Sequence, residues 1–179
     1  MFHIAECSLN ILQRKMLIEE VVDDIQIEVI VDLAREIWNE YFTAIIGKAQ
    51  VDYMLETFQS KKAITEQLES GFLYFLIKGS NEVVGYIGVL PKANNLFLSK
   101  LYVTSAERGK GYGREAVKFL EKLAIKKGVN RISLTVNKNN SATIETYKKL
   151  GFEVRGHVIQ DIGNGFVMDD YEMQKDFLA

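Results

Sequence analysis

The sequence predicts one domain of mixed α/β (α+β) architecture, on three observations. Short aliphatic and aromatic runs of strand length alternate with longer stretches whose apolar residues recur at three- and four-residue steps. The order reads β-α-α-β-β-β-α-β-α-β-β, with hairpins at both ends. No linker, repeat or low-complexity segment interrupts the 179 residues, a length suited to one domain with a full core.

Taken in order, residues 1–15 (MFHIAECSLNILQRK) are irregular and read either as an accessory extension or as an artefact of start-codon choice, preceding a domain at 16–175. They lack an early basic region, and Glu6 interrupts the apolar part, so they do not read as a signal peptide. Met16–Val22 is a first strand. Asp24 is a candidate N-cap for a helix to about Tyr41, with Ile27, Ile30, Val31, Ala34 and Trp38 on its apolar face. Further helices are expected over Lys48–Phe58 and Ala63–Glu69. Phe72–Lys78 and Val83–Leu90 then form a hairpin across Gly79–Glu82, and Pro91–Asn95 turns the chain into a strand over Leu96–Val103.

A glycine loop follows, Arg108-Gly-Lys-Gly-Tyr-Gly113, and opens an amphipathic helix that Gly128 stops. Ile132–Val136 alternates as a strand. Asn140 caps a helix over Ser141–Leu150 that Gly151 stops. Phe152–Gln160 and Phe166–Gln174 close the chain as a hairpin.

Composition narrows the function classes. A hydrophobic content of 47% with 26% charged residues is globular. A net charge of −2 gives no bulk attraction to nucleic acid or an anionic membrane. No uncharged apolar run reaches the roughly 18 residues of a membrane span. One cysteine, Cys7, allows no internal disulfide, and the chain is expected in the reducing cytoplasm. Two histidines, His3 and His157, argue against a histidine-built metal site, and no metal is expected.

Glycines and cations where a helix begins are suited to holding a phosphorylated ligand on backbone N–H groups. Gly111-Tyr-Gly113-Arg-Glu-Ala116 formally matches the dinucleotide fingerprint. However, seven residues separate Val103 from Gly111, and the following strand ends at Asn137 with no acid for a ribose. A P-loop is excluded because no Lys-Ser/Thr follows the glycines.

The loop instead resembles the R/Q-x-x-G-x-G/A signature of the GNAT superfamily of acyl-CoA N-acyltransferases. The segment Asn140-Ser-Ala-Thr-Ile-Glu-Thr-Tyr-Lys-Lys-Leu-Gly-Phe152 is similar to that family's N-x-x-A-x-x-x-Y-x-x-x-G-F segment, with Thr143 in place of the common alanine. The resemblance covers Met16 to about Met173. It implies a GNAT-like fold: a mixed sheet of about seven strands, splayed between the fourth and fifth, with about four flanking helices. It also implies an N-acetyltransferase with acetyl-CoA as donor and an amine as acceptor.

Site roles follow from the same resemblance. The N–H groups of Gly109, Lys110, Gly111, Tyr112, Gly113 and Arg114 would cradle the pyrophosphate, with Arg108 and Lys110 adding charge. Main-chain groups of Leu101, Tyr102 and Val103 would pair with the pantetheine arm in the splay, near Asn137, and a strand N–H would serve as an oxyanion donor. Asn140 and Tyr147 sit on the next helix, with Tyr147 as the acid that protonates the departing thiolate. From spacing alone, Tyr147 reads equally as a core tyrosine, Asn140 as an N-cap, and Lys110 and Arg114 as solvated charges.

The base is open between a water relay, which is the default expectation, and the acids Glu36, Glu40, Asp169 and Asp170. Asp169 and Asp170 are adjacent in a strand and so point to opposite faces. Those acids would suit a cationic acceptor: a small amine, a polyamine, another amino compound or a lysine side chain. Cys7 lies outside the matching region, so direct transfer in a ternary complex is expected rather than a covalent intermediate. The alternatives are a non-catalytic acyl-CoA sensor and, from the apolar final hairpin, a homodimer component.

Overall fold

A computed structural model describes residues 16–80 and 82–178. The predicted extension, with Cys7 and His3, lies outside the described residues. The elements are β1 (Leu17–Glu20), α1 (Asp24–Tyr41), α2 (Thr43–Ile46), α3 (Lys48–Phe58), α4 (Lys61–Glu69), β2 (Leu73–Lys78), β3 (Val83–Pro91), β4 (Leu96–Val103), α5 (Tyr112–Lys126), β5 (Arg131–Asn137), α6 (Ser141–Lys149), β6 (Glu153–Gly163) and β7 (Phe166–Asp176).

Local chemistry sets the boundaries, and three expectations need correcting. The cap of α1 is Asp23, not Asp24. Its side chain accepts from Gln26 N–H, and the Gln26 side chain returns to the Asp23 N–H, closing a capping box. Six α-helices are described, against the five spans read from the sequence and the four or so that the resemblance implies. The addition the sequence hid is α2, whose four residues are too few to display a period. Ser60 caps α4 through Ala63 N–H and starts it two residues before the expected Ala63. Gly128 (φ 79°) and Gly151 (φ 89°) stop α5 and α6 in left-handed conformations, as expected.

The seven strands form one sheet in the order β1-β2-β3-β4-β5-β7-β6. Every neighbouring pair is antiparallel except β4–β5, which is parallel and brief. Its register covers only Leu96↔Ile132, Phe97↔Ser133 and Leu98↔Leu134. Beyond Leu98 the two strands part, which is the expected splay.

Side-chain alternation divides the apolar residues between two faces. Phe75, Ile77 and Ile87 pack with Val117, Leu120 and Ala124 of α5. Tyr74, Leu76 and Tyr86 pack with Ile30, Ile37 and Trp38 of α1 and with Met54 of α3. The hairpin β6–β7 is held over α3, where Tyr53 donates to Ile162 O at 2.6 Å and Gln50 to Val167 O at 3.1 Å. The splay thus opens between α5 and α6 on one side and α1, α3 and the hairpin on the other.

Candidate active site

A cavity of about 490 Å³ runs from the glycine loop through the splay to the aromatic surface of α1. At its loop end the backbone is built for an anion. Gly109 (φ 77°) and Gly111 (φ 95°) occupy left-handed conformations that glycine adopts without strain. The first helical bond of α5 is Glu115 N–H to Gly111 O, and no side chain caps the helix. The N–H groups of Tyr112, Gly113 and Arg114 therefore have no intrahelical acceptor, and they sit at the positive end of the dipole. A Cβ built on Gly109, Gly111 or Gly113 meets no protein atom within 4 Å. Packing does not demand these glycines, and the open space before them is the room a phosphate needs.

Two of the three cations around the loop are already engaged. Arg108 Nε donates to Val103 O at 3.0 Å, and its guanidinium carbon lies 4.7 Å from the centre of the Tyr41 ring. Lys110 pairs with Glu107 at 2.6 Å. Arg114 is exposed. Arg108, Gly109, Gly111, Tyr112 and Gly113 line the cavity, and Lys110 and Arg114 stand off its wall. The Tyr112 ring packs into the core.

In the splay the main chain of β4 is aimed at the gap. Thr104 N–H donates to Val84 O, and Val103 lies opposite Gly85. That geometry makes Val103↔Gly85 a non-hydrogen-bonded pair, so the N–H and C=O of Val103, and of Leu101 two residues earlier, point away from β3. They face the side on which β5 has separated. Asn137 ends β5 on this gap, its Oδ1 accepting from Asn139 N–H at 3.0 Å.

Helix α6 supplies the expected pair. Asn140 is buried. Its Oδ1 accepts from Thr143 N–H at 3.3 Å as the N-cap and from the Tyr41 hydroxyl at 2.8 Å, tying α6 to α1. The Thr143 hydroxyl lies 3.3 Å from the same Tyr41 hydroxyl, so the departure from alanine adds a polar contact between helices. Tyr147 lines the cavity and packs edge-on against Phe152 at 5.2 Å. Burial holds its phenol well above the usual tyrosine range, so it stays protonated and able to donate.

The four candidate acids separate by location. Glu36 and Glu40 are exposed on α1 and do not line the cavity. Asp169 is tied to Lys138 and His157, which hold its carboxyl below the usual range. Asp170 points the other way. It is 3% exposed, lines the cavity, and lies opposite Asn137 in the β5–β7 register. Burial pushes its carboxyl up to about 6 against the opposing pull of a Thr135 hydrogen bond. Burial also raises the Tyr102 phenol, with added contributions from Tyr147, Tyr74 and Asp170; of these, Tyr102, Tyr147 and Asp170 line the cavity.

The Tyr102 ring turns into an aromatic cluster. It lies 5.7 Å from Trp38, 5.8 Å from Phe42 and 5.3 Å from Tyr86. Sequence reasoning did not single out Lys100, which is buried on the same wall. Its signal was a lysine among the mostly apolar residues of that strand. Among the described residues, no group of three or more potential metal-ligating side chains is gathered. The arrangement suits transfer between a phosphate-anchored donor and an amine, with one proton donor and one proton acceptor on the wall.

Comparison with known proteins agrees with this geometry. The sequence model of the acetyltransferase (GNAT) family matches residues 31–152. Spermidine N(1)-acetyltransferase of Thermoplasma acidophilum is 26% identical over 161 residues, covering 87% of this chain and 94% of that protein. Beta-lysine N(6)-acetyltransferase of Methanosarcina mazei is 30% identical over 108 residues, 58% of this chain and 40% of that one. Among solved structures, the PaiA N-acetyltransferase of Thermoplasma acidophilum in complex with coenzyme A superposes with a TM-score of 0.77. It is 23% identical, with 91% of this chain and 99% of that one covered.

Proposed function

The chain belongs to the acetyltransferase (GNAT) family, and from that premise we propose that it moves an acetyl group from acetyl-CoA to a primary amine by direct attack in a ternary complex. The observation that carries the reading is the joining of three features in one cavity: the open N-terminus of α5, the main chain of β4 that β5 leaves past Leu98, and the side chains of Tyr147 and Asp170. Acetyl-CoA supplies a thioester carbonyl that is already reactive. The N–H groups of Gly109 to Arg114 hold its pyrophosphate, and the main chain of Leu101 and Val103 pairs with its pantetheine arm. Tyr147 donates a proton to the departing thiolate. Asp170 holds the incoming ammonium and takes its proton, directly or through one water. Its raised pKa brings the base close to the working pH.

The acid and the base favour catalysis over a non-catalytic acyl-CoA sensor. The similarity to spermidine and beta-lysine acetyltransferases puts polyamines and amino acids on the acceptor panel. The proposed domain covers 16–175, and its proposed setting is the cytoplasm. A homodimer through the final hairpin is a further proposal, tested by light scattering after size exclusion. The deciding experiment is thiol release from acetyl-CoA over a panel of amines, with wild type beside Tyr147→Phe. Amine-dependent release that the variant loses is the expected result. Binding of acetyl-CoA without release by the wild type would overturn the enzyme reading in favour of the sensor.

A further inference from the structure

One charged side chain on the cavity wall has no part in the transfer as described. Lys100 is 5% exposed, and among the described residues no carboxylate pairs with it. Its Nζ donates to Gln67 Oε1 at 2.7 Å and lies 3.4 Å from Ser99 Oγ. Gln67 Oε1 also accepts from the Tyr74 hydroxyl at 2.8 Å, and Gln67 Nε2 donates to Phe58 O at 3.1 Å, which fixes the amide's orientation. The faces of Phe72 and Tyr74 lie 5.5 and 5.2 Å from the amine. Neutral oxygens and ring faces support the cation, and nothing neutralises it. Burial lowers its pKa to about 8, which leaves it mostly charged at neutral pH.

The backbone is shaped to put this charge here. Val89 lies opposite Leu98 and Gly88 opposite Lys100, so Ser99 is the extra residue of a β-bulge. The bulge turns Lys100 off the face that Leu96 and Leu98 share and onto the face of Tyr102. Gly88 opens a notch beneath the stem: a Cβ there would lie 3.3 Å from both Cβ and Cδ of Lys100 and 3.1 Å from Tyr74 Cε1. Methionine would fill such a site without an unneutralised charge. Across the splay, Asp170 and Met168 line the same cavity from β7. The acceptor half therefore offers an anion on one strand and a cation on another, in a wall that is otherwise largely apolar and aromatic.

We propose that Lys100 selects the acceptor: it receives the carboxylate of an amino-acid-like amine whose reacting nitrogen lies toward Asp170, and it repels polyamines. The assignment rests on the acetyltransferase reading above. An acceptor with opposite charges at its two ends matches the two side chains. A polyamine brings a second ammonium toward an ammonium that no acid screens, in a space from which much water is excluded. In this respect the chain parts from the spermidine acetyltransferase it resembles.

Lysine and cadaverine test this directly, because they differ only in the α-carboxylate. Ornithine and putrescine form a second pair, and spermidine a third probe. With wild type, kcat/KM for each amino acid is expected to exceed that for its diamine by about tenfold or more. In Lys100→Met the ratio collapses toward one, chiefly through a raised KM for the amino acid, and spermidine turnover rises. Gln67→Glu keeps the lysine and neutralises it, so it moves the ratio the same way with the stem still packed. Acetyl-CoA binding by calorimetry reports whether each variant is folded. Diamines turned over as well as amino acids by wild type, or a ratio unmoved in both folded variants, overturns the proposal while leaving the acetyltransferase intact. No turnover of any amine overturns both.

Discussion

Replacing Asp170 by asparagine should make the protein both more stable and nearly inactive, and the two effects should share one pH dependence. The carboxyl rises from 3.8 to about 6, mainly through burial. That rise corresponds to about 3 kcal/mol of preference for the neutral form. Below 3.8 the group is protonated in the folded and unfolded chains alike and costs nothing. Between 3.8 and about 6 the unfolded chain ionises first, so stability falls as pH rises. Above about 6 the penalty is complete.

Asparagine keeps an oxygen for Thr135 and never ionises. Asp170→Asn is therefore expected to gain about 2–3 kcal/mol at about pH 7.5, a rise in Tm of about 5–10 °C, with no gain near pH 4. The charged groups acting on Asp170, namely Asp169 and His157, are unchanged in the variant. In kinetics, wild-type kcat/KM should fall on the acid side with an apparent pKa near 6. The variant should lose that limb together with about a hundredfold of activity. Urea titrations across pH and initial rates by thiol release measure both. An asparagine variant no more stable at neutral pH, or an acid limb that survives in it, would refute the assignment of Asp170 as a desolvated base.

The remaining predictions address the other walls. Tyr147→Phe keeps the edge contact with Phe152 and removes the proton donor; kcat should drop by about a hundredfold or more with acetyl-CoA affinity kept, read by calorimetry beside the rate assay. Because the phenol is raised by burial, Tyr147 should contribute no alkaline limb to the wild-type rate below about pH 10. Gly113→Ala should leave thermal stability equal or about 0.5 kcal/mol higher, yet weaken coenzyme A binding about tenfold, because its Cβ meets only the space before the helix N-terminus. Asp169→Asn breaks the link to Lys138 and His157 outside the cavity; the acid limb should survive, moved slightly toward lower pH because the Asp169 charge that adds to the rise of Asp170 is gone.

What the sequence disclosed depended on how local each signal was. The span of β4 and the glycine stops of α5 and α6 were legible because each is set by a few adjacent residues: the turn at Pro91–Asn95 before the strand, and a left-handed glycine after each helix. The cap of α1 slipped by one residue because Asp23 and Asp24 are equivalent in type, and only the return bond from Gln26 separates them. Asp169 and Asp170 were correctly expected on opposite faces, but which faced the cavity depended on Lys138 and His157, both more than ten residues earlier in the chain. Lys100 was hidden by the bulge at Ser99, since a strict two-residue period assigns it to the other face. Arg108, expected as a phosphate cation, is committed to Val103 O and the Tyr41 ring, contacts that no spacing in the sequence reveals.

The brief pairing of β4 with β5 has a consequence beyond catalysis. Three residue pairs join two antiparallel halves, and past Leu98 each half presents an unsatisfied border to the other. Most proteins keep such borders at the rim of a sheet and guard them there. Here one lies in the interior, where a stray extended segment would find a template. A pantetheine arm seated in the gap would act as a missing half-strand and close it. Amide hydrogens at Leu101 and Val103 should then exchange freely in the empty protein and slowly in the loaded one. The supply of coenzyme would thus govern how long the sheet stands incomplete, as well as the rate of turnover.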